Sequence, residues 1–250
     1  MYGWKGRIGL LIPHRTITME PELNKMAPDG VSIHAARFVI GEVSVAGLIE
    51  TEEEIYRAAP LIAPVNPDVI IVGCTSGSLI KGFGYDQKLI EKITNLTGVQ
   101  TTTTSTAVIE AMKLLKVTKV AVATPYTDEV NQKEKEFIEA HGISVTQIKG
   151  LGYSRPLTNY PLASKPLSGF SLSPPYVAYR LAKDVDTPDA DGIFISCTGF
   201  RTIEIIEALE ENTGKPVITS NQASMAIALK MMGINEKIKG FGSLLSNSIS

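Results

Sequence analysis

Short apolar runs at 8–12, 69–72, 120–123 and 193–195 carry aliphatic and β-branched residues with no polar alternation. Runs of that length and composition read as strands covered on both faces, as in a parallel sheet. Elsewhere the apolar spacing widens to three and four. Ala107, Val108, Ala111, Met112, Leu114 and Leu115 share a helical pattern, as do Ala223, Ala226, Ile227, Ala228, Met231 and Met232.

In order, the pattern predicts a strand over 7–12, a polar turn from Pro13, and a helix opening at Met19 with Thr18 as N-cap. A strand over 31–38 follows, then a helix over 50–63 with the acidic start Glu52-Glu53-Glu54 and an end marked by Pro64 and Pro67. After the strand leading to Cys74 come a helix near 87–96, a hinge-like run at 101–104 and the helix over 107–115. The second half predicts strand 119–123, helix 128–141 closed by Gly142, strand 143–148, helix 176–183 and the strand leading to Cys197. The irregular segment 150–173, with Pro156, Pro161 and Pro166, is expected to be a lid or a mobile loop. The alternation of strands and helices implies mainly parallel sheets.

Two stretches repeat each other. Asp68-Val69-Ile70-Ile71-Val72-Gly73-Cys74-Thr75-Ser76 and Asp191-Gly192-Ile193-Phe194-Ile195-Ser196-Cys197-Thr198-Gly199 each join an Asp, an apolar strand and Cys-Thr. The similarity resumes at Thr97-Gly98 and Thr213-Gly214 and runs without a gap into the helices at 107 and 223. Such self-similarity predicts a duplicated α/β unit. The expected architecture is two pseudo-symmetric lobes, each a mainly parallel sheet flanked by helices, with a site in the cleft between them. The crossovers at 101–104 and 217–220 divide the chain into one lobe of 1–103 plus 221–250 and another of 104–220. A two-fold of this kind brings both strand ends, and with them Cys74 and Cys197, to one cleft, where open α/β sheets bind ligands.

The 250 residues suffice for two small lobes, and a net charge of −2 with a mean hydropathy of +0.10 gives no footprint for nucleic acid or an anionic membrane. No membrane span or signal-peptide pattern is present, so a cytoplasmic protein is expected. The chain has two cysteines, no CxxC and no His/Cys cluster, which argues for reactive or buried thiols and against a structural zinc. No GxGxxG follows the first strand, and no cofactor is expected. Either cysteine alone reads as a small core residue; the duplicated Cys-Thr context favours a facing pair of catalytic thiols.

Thr18-Met19-Glu20-Pro21-Glu22 after strand one, Cys74-Thr75-Ser76, Thr124-Pro125-Tyr126 and Cys197-Thr198-Gly199, in this order and at these intervals, resemble the aspartate/glutamate racemase superfamily. Within it they most resemble the branch of maleate cis-trans isomerases and arylmalonate decarboxylases. The resemblance spans essentially the whole chain. It implies cofactor-independent chemistry on a small carboxylic acid between two pseudo-symmetric lobes. Decarboxylases of this branch carry Gly where this chain has Cys74, and protonate an enediolate with the second-half cysteine. Maleate isomerases carry both cysteines, the first adding to the alkene as thiolate and the second acting as acid. This chain departs from the isomerases at Thr16, where they have Asn, and at His14-Arg15, where they have Ser-Ser. Asn159 matches their second substrate-binding Asn.

A thiol reacts as thiolate, so its environment must favour the anion. A strand-end cysteine before a helix is expected to feel the helix dipole and free amides. Those amides, with the hydroxyls of Thr75, Ser76, Tyr126 and Thr198 and the turn at Gly199, form a candidate carboxylate cradle. Thr16 and Asn159 are further candidate substrate ligands, and His14 and Arg15 a candidate source of positive charge for a second carboxylate. The first expectation is a two-cysteine isomerase of the maleate type. The alternatives are an aspartate/glutamate- or hydantoin-type racemase, an arylmalonate decarboxylase-like enzyme and, from another class, a non-catalytic carboxylate binder. Both sulfurs lining one cleft separates the enzymes from the binder. A homodimer or higher homo-oligomer is a further expectation.

Overall fold

The computed structural model describes residues 2–153 and 169–247. Asn159, the three prolines of the predicted lid and most of that segment lie outside the described residues.

The first sheet takes β1 (Gly6–Pro13), β2 (Val31–Phe38), β3 (Val69–Val72) and β4 (Thr101–Thr103) in the order β2-β1-β3-β4. The second takes β5 (Lys119–Thr124), β6 (Ser144–Gly150), β7 (Gly192–Ile195) and β8 (Val217–Thr219) in the order β6-β5-β7-β8. All pairings are parallel. The identical orders make the duplication visible in three dimensions. The Asp at the head of each repeat has a structural role: Asp68 Oδ2 accepts from Arg7 N–H at 2.7 Å, and Asp191 Oδ1 accepts from Lys119 N–H at 2.8 Å. Each carboxylate thereby fixes the strand beside the cysteine strand.

Ten helices connect and cover the strands among the described residues: α1 (Met19–Met26), α2 (Val45–Ile62), α3 (Thr75–Leu79), α4 (Tyr85–Thr97), α5 (Thr104–Leu114), α6 (Asp128–Ala140), α7 (Pro175–Val185), α8 (Ile206–Thr213), α9 (Ser220–Met231) and α10 (Ser243–Ser246). α5 and α9 leave β4 and β8 directly and pack on one another between the sheets. α9 is buried from Ser220 to Leu229, all round the helix, and its Ala and Ser residues allow the close approach of α5. A hydrogen bond from Ser224 Oγ to Thr104 Oγ1 (3.1 Å) joins them.

Four local expectations give way. The run at 101–104 is strand β4 followed by the first residue of α5, because its buried threonines pair with β3. α2 begins at Val45, capped by Ser44 Oγ accepting from Gly47 N–H, so Glu52–Glu54 fall inside the helix and not at its start. Thr18 stands at the N-cap position of α1, as expected, but its side chain makes no cap hydrogen bond; its hydroxyl donates to Gly199 O at 3.0 Å. Finally, a helix begins directly after Cys74, whereas Cys197 leads into a non-helical loop and α8 starts only at Ile206.

Candidate active site

One cleft of about 490 Å3, counted to its open mouth, lies where the ends of β3 and β7 face each other. Cys74, Thr75 and Ser76 line it from one strand end, Cys197, Thr198 and Gly199 from the other, with Tyr126 beside them. Pro13, Arg15 and Thr16 come from the turn after β1, and Ile40, Gly41 and Val43 from the segment after β2. Every predicted site residue within the described residues therefore meets in this cleft, except His14. That imidazole is half-buried, and its Nδ1 accepts from Ile40 N–H at 3.3 Å. Burial, with Arg15 and Arg37 nearby, pushes its pKa down. It fastens the segment that forms the cleft's apolar wall.

Cys74 is the N-cap of α3 and is buried. The Gly77 amide and the Ser76 hydroxyl point at its sulfur. A Cβ on Gly77 would come within 2.8 Å of Cys74 Sγ, so the close approach of amide to sulfur needs glycine here. Cys197 reaches its place by a different route. Its φ is +100°, a conformation that costs a non-glycine residue on the order of 1–3 kcal/mol and persists only where the surroundings enforce it. Gly199 N–H approaches Cys197 Sγ at 3.4 Å, and the Tyr126 hydroxyl donates to the same sulfur.

The surroundings do enforce it, through residues on both lobes. Ser220 Oγ accepts from Cys197 N–H (2.9 Å) and from Thr75 Oγ1 (2.9 Å), tying the two repeats together. Thr198 Oγ1 donates to Gly73 O at 3.2 Å. Glu22 Oε1 accepts from Thr202 N–H (2.8 Å), and its Oε2 accepts from Asn221 Nδ2 (2.7 Å), which also donates to Thr198 O (3.2 Å). Sequence reasoning missed Glu22, Ser220 and Asn221. Glu22 lay within the quoted Thr-Met-Glu-Pro-Glu stretch and Ser220 within the crossover, but only their placement reveals the contacts.

The expected thiol activation does not appear in the protein's own electrostatics. Burial pushes the Cys74 thiol up to about 11 and the Cys197 thiol up to about 12. The hydrogen bonds to each sulfur pull down but are outweighed. Cys197 lacks the helix the sequence suggested, and the five-residue α3 offers Cys74 a small dipole. Arg15, half-buried, is the one charged residue of the lining, and among the described residues no hydrogen bond or ion pair engages its guanidinium. The described residues hold no group of three or more His, Cys, Asp or Glu suited to a metal ion. No described helix is long and apolar enough to cross a membrane.

The cleft thus combines two thiols, a set of hydroxyl and amide donors, one guanidinium and an apolar wall. Comparison with known proteins places that combination. The chain is 27% identical over 242 residues to the arylmalonate decarboxylase of Bordetella bronchiseptica, covering 96% of this chain and 97% of the relative. It is 24% identical over 254 residues to the maleate isomerase of Geobacillus stearothermophilus, covering 96% and 97%. The fold matches that of a cysteine-to-serine mutant of the Nocardia farcinica maleate cis-trans isomerase with a covalently bound succinylcysteine intermediate, with a TM-score of 0.87 at 22% identity, covering 96% and 98%. The family model for arylmalonate decarboxylase matches residues 8–245, and the chain belongs to that family.

Proposed function

We propose that the protein is a cofactor-independent isomerase that interconverts the cis and trans forms of a small unsaturated dicarboxylate of the maleate type. The observation that carries this is the presence of both cysteines, Cys74 and Cys197, in the lining of one cleft. Protonation by a single thiol would need only one. The relative with a succinylcysteine intermediate lends support, since it joins this fold to thiol addition.

The cycle balances on two sulfurs. Cys74 thiolate adds to one alkene carbon, and the Cys197 thiol gives its proton to the other. The central bond, now single, rotates. Cys197 thiolate then takes a proton back, and elimination restores the alkene and the Cys74 thiolate. Negative charge develops on one carboxylate during addition, and the first-turn amides of α3 at Thr75 and Ser76 supply donors where it forms. Arg15 accounts for the second carboxylate. On this reading the chain's lobes are 1–103 plus 221–250 and 104–220, and the site forms only where they meet.

Decarboxylation of a substituted malonate is the second reading. The apolar wall of Ile40 and Val43 favours it, with Cys197 as the proton donor. Proton NMR in D2O with maleate, and separately with phenylmalonate, tests both. Fumarate formation that is lost in both Cys74→Ala and Cys197→Ala supports the isomerase. Phenylacetate formation that survives Cys74→Ala replaces it with the decarboxylase.

A further inference from the structure

The two-fold that builds the cleft sets the thiols at corresponding strand ends, and a cycle with one acid and one nucleophile needs them to differ. A pair of buried carboxyl groups marks where the symmetry breaks. Leu11 pairs with Val72, two residues before Cys74, and Ala123 pairs with Ile195, two residues before Cys197. Eleven residues on from each stand Glu22, the fourth residue of α1, and Glu134, the seventh of α6, with relative exposures of 4% and 1%.

The first of these is fully engaged by the loop beyond Cys197, as described above. The second is not. Glu134 Oε1 accepts from Ser196 Oγ at 2.6 Å, while Oε2 is buried with no partner among the described residues. The reason lies in the first repeat. Thr202, which donates to Glu22, stands five residues past Cys197; its counterpart Leu79 stands five past Cys74 inside α3, where helix closure takes up the amide. Glu134 is left beside a small cavity lined by Thr75, Ser105 and apolar side chains. No link of this kind reaches Cys74 either, because the residue before it is Gly73 where the second repeat has Ser196.

We propose that Glu134, acting through Ser196, is the positioning residue that keeps the proton on Cys197 and so assigns the acid role to Cys197 and the nucleophile role to Cys74. The groups that face it are consistent. At the end of β5 stands Tyr126 and at the end of β7 Cys197, both pushed up chiefly by burial, to which the Glu134 charge adds; α3 and α5 present the hydroxyls of Thr75 and Ser105. Among the described residues, no Lys, Arg or His lines the cavity. Burial holds the Glu134 carboxyl up to about 7, against the pull of the Ser196 hydroxyl. Its charge therefore comes and goes near neutral pH, and with it the bias between the thiols.

The assignment of roles rests on the isomerase reading, but its test needs no substrate and stands apart from that reading. Both cysteines of one protein sample are alkylated with iodoacetamide between pH 6 and 9, and the ratio of Cys197 to Cys74 modification is read by peptide mass spectrometry. The ratio is expected to fall through pH 7 in the parent. In Glu134→Gln it should stay flat and exceed the parent's at pH 8.5 by about threefold or more. Ser196→Ala, which keeps the carboxyl but removes its donor, should move the fall to higher pH. A ratio that falls equally in parent and Glu134→Gln, or is unmoved by Ser196→Ala, overturns the proposal.

Discussion

Cys197 and Cys74 show how differently two copies of one motif can place a sulfur. Cys74 rides the end of a strand into a short helix, and Gly77 gives its sulfur an amide. Cys197 sits at φ +100°, held by Ser220, Gly199 and Tyr126. Gly77→Ala puts a methyl group 2.8 Å from Cys74 Sγ, so the sulfur must shift. The expected outcome is at least a tenfold loss of kcat with little change in melting temperature, checked by steady-state kinetics and thermal unfolding, because a misplacement of about 1 Å costs on the order of 100-fold. Arg15→Ala should raise KM for a dicarboxylate by about 10- to 100-fold, the worth of a charge-assisted hydrogen bond, and leave a monocarboxylate analogue's inhibition constant unchanged. The cysteines, Thr75, Ser76, Tyr126 and Thr198 were legible because they end apolar strands in a repeated context. The direction of the thiol shift was not, since it depends on how completely each sulfur is covered, and neighbours distant in sequence do the covering.

At the scale of elements, the loop 198–203 stands where the first repeat has the helix α3. It is held by α1 through Glu22 and by α9 through Asn221, while the Thr18 hydroxyl reaches Gly199 O. A pattern-based reading marks Thr18 as a cap and Glu22 as a first-turn acid, because both roles are local; the structure spends them on contacts about 180 residues away in sequence. The same limit explains α2, whose true cap Ser44 lies ahead of the acidic run that drew attention. Glu22→Ala removes the acceptor of two backbone amides and one side-chain amide. It should destabilise the protein by about 2–4 kcal/mol and lower kcat more than it raises KM. Urea unfolding read beside kinetics checks both parts; a loss of stability with kcat intact would separate the clamp from the geometry of Cys197.

The molecule as a whole is two copies of a four-strand parallel unit joined through α5 and α9. The strand order and the meeting of both Cys-Thr repeats in one cleft follow from the duplication, which the sequence displays openly. What duplication cannot display is where the copies diverge, such as Gly73 against Ser196 and α3 against the open loop. Two buried carboxyls accompany that divergence, Glu22 and Glu134, each held up to about 7 mainly by burial. A carboxyl whose pKa is higher folded than unfolded contributes stability at low pH, and that contribution is lost as pH rises through its folded value. Glu134→Gln should therefore gain stability relative to the parent between pH 5.5 and 8.5, by about 2 kcal/mol. Paired denaturant titrations at the two pH values measure this, and an unchanged difference would place an ionised Glu134 in the folded protein throughout.

The most direct test of the two-thiol cycle is the covalent step itself. Cys197→Ser is incubated with maleate, and its mass and tryptic peptides are analysed. The account predicts a succinyl adduct on Cys74 that is absent from the Cys74→Ala, Cys197→Ser double variant. An adduct on neither sulfur, while the parent converts maleate to fumarate, would contradict it.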